Sequence, residues 1–100
     1  MAIRLTCKLM TIREITASLR SLPGWRYFSE QKAIIFEFKT KDFVSAIRWI
    51  QKITSLAEKA DHHPDIHLTR YRHLKILLKT HDAGGVTQKD IRLAKQILVD

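Results

Sequence analysis

The chain has 100 residues, 45% of them hydrophobic, and a formal net charge of +8. That length suits a single domain over residues 1–100 with one core of modest size, so self-association is an expected route to further burial. No apolar run approaches the ~20 residues of a membrane helix, and the basic residues run from Arg4 to Lys95 without a block or tail, which argues against nucleic-acid binding as the main function.

The N-terminal segment MAIRLTCKLM lacks the long apolar stretch and small-residue cleavage site of a secretory leader. Cys7 is the only cysteine, so no intrachain disulfide can form, which suits a reducing compartment. The cytoplasm is the default location. A first helix is expected from Thr11, because Thr11-Ile12-Arg13-Glu14 has the form of a capping box. Ile12, Ile15, Leu19 and Leu22 fall on one face, and Pro23-Gly24 ends the element.

Two strands follow, Trp25–Phe28 and Ala33–Phe38, joined through Ser29-Glu30-Gln31-Lys32. Ile34, Phe36 and Phe38 lie on one side of the second. Asp42 can cap a long helix in which Phe43, Ala46, Ile47, Ile50, Ile53 and Ala57 recur at helical spacing. Trp49 and Leu56 widen that apolar surface, a pattern that suits packing on a second subunit. This helix is expected to end near Asp61, since His63 precedes a proline.

Two more strands are expected over Ile66–Tyr71 and His73–Thr80. Leu74, Ile76 and Leu78 face inward; His73, Lys75 and Lys79 face outward. A last helix opens at Thr87, with Asp90 at the capping-box spacing and Leu93, Ala94, Ile97 and Leu98 as its apolar face. The order α-β-β-α-β-β-α predicts an α+β fold: a four-stranded antiparallel sheet with three helices on one face, the other face open to solvent.

The chemistry-bearing residues concentrate in Glu58-Lys59-Ala60-Asp61-His62-His63-Pro64-Asp65 and in Thr80-His81-Asp82. Histidine gives and takes protons near neutral pH. Two histidines at a helix-to-strand corner and one at a strand end could converge on a cleft. Glu58 precedes His62 by four residues, so a shared helix face could let its carboxylate orient that imidazole. Metal binding is the alternative, although adjacent histidines usually diverge and the spacing matches no HExxH or Cys/His pattern. Cys7 has no base near it in sequence, so nucleophilic catalysis has little support. His67 and His73 lie within strands and read as surface residues.

The pattern Glu58, His62-His63-Pro64, Tyr71, His81, Asp90 resembles the signature of the pterin-4a-carbinolamine dehydratase family, which also contains the dimerisation cofactor of a homeodomain transcription factor. Leu22-Pro23-Gly24-Trp25 is similar to the family's Gly-Trp segment. Thr80-His81-Asp82-Ala83-Gly84-Gly85-Val86-Thr87, with Asp90, resembles its second motif. The likeness runs from about Glu14 to Leu98.

The resemblance implies dehydration of a 4a-hydroxytetrahydropterin to quinonoid dihydropterin, in recycling of the cofactor of an aromatic amino-acid hydroxylase. It implies no metal and no organic cofactor. His62 and His81 match the proton-transfer positions, and Glu58 matches the acidic position that supports them. His63 matches the position associated with pterin binding. Trp25 would close the pocket by stacking on the pterin or sit in the core. Asp90 would orient a histidine or cap the last helix. Asp61 and Thr80 would offer backbone groups to the pterin's amide edge. The resemblance also implies a homo-dimer or homo-tetramer, with the Phe43–Ala57 face as one contact. A non-catalytic dimerisation cofactor on the same fold is the rival reading.

Overall fold

The computed structural model describes residues 8–99; Arg4 and Cys7 lie outside that range. Helix α1 spans Ile12–Leu19, followed by strands β1 (Trp25–Phe28) and β2 (Ala33–Lys39). The long helix α2 (Phe43–Ala60) leads into β3 (Asp65–Thr69) and β4 (His73–Leu78). A short 3₁₀ turn at His81–Ala83 precedes α3 (Gln88–Val99). The strands form one antiparallel sheet in the order β1-β2-β4-β3. The fold is therefore the expected α+β arrangement, with the second strand of each hairpin, β2 and β4, paired at the sheet's centre.

The helices start where their side chains can satisfy exposed backbone donors. The Thr11 hydroxyl accepts from the Glu14 N–H, and the Glu14 carboxylate accepts from the Thr11 N–H at 2.8 Å. The Asp42 carboxylate accepts from the Ser45 N–H at 2.8 Å. Each such cap contributes about 0.5–2 kcal/mol. Helix α2 ends at Asp61, whose φ of 51° is left-handed. The chain then reverses so that the His62 N–H donates back to the Ala57 carbonyl, the long-range bond of a Schellman-type stop.

One main core joins the inner sheet face to all three helices. Ile34, Ile76 and Leu78 from the sheet meet Ile15 from α1, Ile53 and Ala57 from α2, and Leu93, Ala94 and Ile97 from α3. Burying a side chain of this size contributes roughly 1.5–3 kcal/mol. Gly24 sits at φ 90°, and a Cβ there would lie 2.5 Å from the Phe36 ring, so neither the backbone nor the packing admits a larger residue.

Four expectations change. Ile12 does not join the core: it opens α1 and is 64% exposed, while Met10, whose N–H bonds the Val86 carbonyl, is buried in the main cluster. Strand β3 stops at Thr69 rather than Tyr71, because Arg70 and Tyr71 both take positive φ to make the turn into β4. Strand β4 stops at Leu78 rather than Thr80, whose backbone pairs instead with Gly85. The open sheet face is not wholly solvated: beside the half-buried Lys75 and Lys79 it carries a small buried cluster of Ala33, Ile35 and Leu77, with Phe28 packed against it. Among the described residues no helix is long and apolar enough to cross a membrane.

Candidate active site

The site begins where α2 stops. The reversal at Asp61 carries His62 and His63 off the helix, and Pro64 leads directly into β3. His62 then points toward α3, where its Nε2 lies 2.6 Å from Asp90 Oδ1. The His62 side chain is 10% exposed and that of Asp90 is 0% exposed.

Asp90 is also held from the opposite side. Its Oδ2 accepts from the Thr87 N–H at 2.8 Å and from the Thr80 hydroxyl at 2.9 Å. The Thr80 and Thr87 hydroxyls are 2.7 Å apart, and the Thr87 hydroxyl accepts from the Lys89 N–H at 3.3 Å. The hydrogens follow a single order. The Thr80 hydrogen goes to Asp90, so the Thr87 hydroxyl donates to Thr80, and Thr87 is left free to accept from Lys89. Both Asp90 oxygens accept, so the His62 Nε2 carries a hydrogen and donates it. The remaining nitrogen, Nδ1, accepts when the ring is neutral and donates when it is a cation.

Asp90 therefore does both things considered for it. One oxygen caps α3 by accepting from Thr87; the other fixes His62. The sequence reading missed Thr87 as a member of this network, although the Thr87-x-x-Asp90 spacing was visible.

Glu58 supports a different histidine from the one expected. Its Oε2 lies 2.7 Å from His63 Nε2, whereas His62 bonds Asp90. The helix stop is the reason: past Asp61 the i,i+4 geometry no longer holds, and His63 swings back over the last turn of α2. This pair is exposed, at 59% for His63 and 69% for Glu58. His81 is exposed at the start of the 3₁₀ turn, one residue after Thr80 and so one residue from the network.

The other three expected residues are Trp25, Asp61 and Thr80. Trp25 is 4% exposed and stacks on Phe36 at 5.4 Å between ring centroids, which places it in the core. Its Nε1 is buried without a hydrogen-bond partner. The Asp61 N–H donates to the Ala57 and Glu58 carbonyls. The Thr80 N–H donates to the Gly85 carbonyl, and the Thr80 carbonyl accepts from Ala83 and Gly84. The Asp61 N–H and both Thr80 main-chain groups are thus committed to turns, and Thr80 acts on the site through its hydroxyl.

A cleft of about 660 Å³ opens between α2 and α3 beside His62. That volume suits a small organic ligand. Leu56 and Leu93 supply apolar walls, and Lys59, Lys89 and Arg92 line the rest together with Gln96. A second depression, of about 500 Å³, lies on the open sheet face, where Lys39, Lys75, His67 and His73 surround Glu37. Burial, with Lys39, Arg70 and Arg72 nearby, lowers the His73 pKa below its ordinary 6.5. Among the described residues, no group of three or more His, Cys, Asp or Glu side chains is placed to hold a metal ion.

The model of the family described as "Pterin 4 alpha carbinolamine dehydratase" matches residues 8–98. A protein of Gloeobacter violaceus named "Putative pterin-4-alpha-carbinolamine dehydratase 2" is 42% identical over 87 residues, covering 85% of this chain and 94% of that protein. A crystal structure from Brucella melitensis, described as a transcriptional coactivator/pterin dehydratase, superposes with a TM-score of 0.84 at 36% identity, covering 90% of this chain and 95% of that one. A pterin dehydratase-like protein described as a RuBisCO assembly factor superposes with a TM-score of 0.61, covering 74% of this chain and 84% of that one; at 16% identity it shares the fold alone.

Proposed function

We propose that this chain, which belongs to the pterin 4 alpha carbinolamine dehydratase family, removes water from a 4a-hydroxytetrahydropterin with His62 and His81 as its proton-transfer groups. Membership makes it a dehydratase of the hydro-lyase class. The observation that carries the residue assignment is the His62–Asp90 bond at the wall of the cleft.

The reaction breaks the C4a–O bond and the N5–H bond and makes a C4a–N5 double bond. A general acid protonates the departing hydroxyl, which leaves as water, and a base collects the N5 proton. The N5 lone pair drives the departure, so the chemistry requires neither a metal nor an organic cofactor. His62 can serve either half-reaction at Nδ1 while Nε2 stays fixed on Asp90. His81 is the second proton carrier. His63, steadied by Glu58, binds the pterin. Positioned proton transfer of this kind contributes roughly 10²–10⁴-fold.

The product, quinonoid dihydropterin, is ready for reduction, which fits recycling of the pterin cofactor of an aromatic amino-acid hydroxylase in the cytoplasm. Self-association belongs to the same reading. Phe43 and Val44 at the start of α2 are 51% and 57% exposed, and a second copy would cover them. Turnover of 4a-hydroxytetrahydropterin tests the assignment: His62→Ala and His81→Ala are each expected to lose at least about 100-fold in kcat/KM while circular dichroism stays native. Wild-type rates in both variants would refute it.

A further inference from the structure

The cleft beside His62 has an unbalanced electrostatic lining. Lys59 from α2 and Lys89 and Arg92 from α3 all face it, and among the described residues its lining contains no Asp or Glu. The nearest carboxylate in the network, Asp90, is fully buried and already accepts three hydrogen bonds. Among the described residues the ion pairs are His62–Asp90 and His63–Glu58, so neither neutralises these cations.

Such a lining works against a neutral substrate. As hydroxide leaves C4a, the pterin ring becomes electron-poor, and cations nearby raise the energy of that state. An anionic group on the substrate reverses the sign: it pairs with the cations and offsets their effect on the ring. The spacing supports a clamp. Lys89 and Arg92 are three residues apart on α3, so they share a helix face, and Lys59 approaches from the opposite wall.

We propose that this cleft selects pterins whose C6 side chain carries an anion, a phosphate ester or a carboxylate, held between Lys59, Lys89 and Arg92 while the ring lies at His62. The inference rests on this cleft being the pterin site. Lys89 and Arg92 are then specificity-determining residues, with their ammonium and guanidinium groups as donors to the anion.

Binding of oxidised pterins, followed by their fluorescence, tests this separately from turnover. The probes are neopterin, its 3′-phosphate and pterin-6-carboxylate. Wild type is expected to bind an anionic probe about tenfold more tightly than neopterin, with the advantage shrinking as salt rises. The Lys89→Gln/Arg92→Gln double variant is expected to bind anionic and neutral probes alike. Arg13→Gln, at an exposed position on α1, removes charge far from the cleft in sequence and is expected to keep the preference. The phosphate and carboxylate arms show which anion the clamp prefers.

Equal wild-type affinity for neutral and anionic probes would overturn the proposal. So would a preference that survives in the double variant, or no binding of any probe. If the anionic preference holds but the histidine variants turn over normally, the clamp stands and the catalytic assignment falls.

Discussion

At Thr80 one hydroxyl hydrogen has two neighbours, Asp90 and Thr87, and the carboxylate takes it. The order of donors that follows runs from the Lys89 N–H through Thr87 and Thr80 to Asp90, all around a buried centre. Thr80→Val keeps the shape but removes a donor from Asp90 and an acceptor from Thr87. A buried hydroxyl without a partner costs about 1–3 kcal/mol, so a loss of that size is expected from the denaturant midpoint at constant slope. A loss below about 0.5 kcal/mol would show that the network does not hold the site. The sequence made part of this legible. Thr87-x-x-Asp90 announced a helix cap, but the reach of the second Asp90 oxygen to a histidine 28 residues earlier depends on how α3 packs beside the end of α2. Helical spacing suggests Glu58 as a partner for His62, but the left-handed residue at Asp61 brings His63 to it instead.

Elements were the most legible scale where local chemistry dominates. The caps at Thr11 and Asp42 and the stop before Pro64 follow from side chains a few residues apart, and they form as read. The β3–β4 turn was not legible in its bounds, because Arg70 and Tyr71 adopt positive φ without being Gly or Asn. The caps also set a pH dependence. The backbone N–H of Thr11, with the Thr11 hydroxyl next, lowers the Glu14 pKa below its ordinary 4.5, and the Ser45 N–H lowers that of Asp42 below 3.8. Depressed carboxyls stabilise the fold fully above their unfolded values, and that contribution disappears as pH falls through the folded ones. Hydrogen exchange at the Thr11 and Ser45 amides, which donate to these carboxylates, is therefore expected to lose protection below those ordinary values, ahead of the central α2 amides. Simultaneous loss along both helices would contradict this.

For the whole molecule, the sheet and helices serve to bring three distant segments to one carboxylate. The α2–β3 corner supplies His62, the segment just after β4 supplies Thr80, and the start of α3 supplies Thr87 and Asp90. The order α-β-β-α-β-β-α was readable from periodicity, but this convergence required the packed fold. The net charge of +8 has no mechanistic use that the sequence alone reveals; the structure puts three of its cations around one cleft. In the proposed mechanism Asp90 holds His62 for proton transfer. The most direct test is the pH profile of 4a-hydroxytetrahydropterin turnover by Asp90→Asn, with folding checked by thermal melting. A kcat lower by roughly 10²-fold or more, a KM within a few-fold of wild type and a displaced pH profile are expected. A folded variant with wild-type kcat and an unchanged pH profile would contradict it.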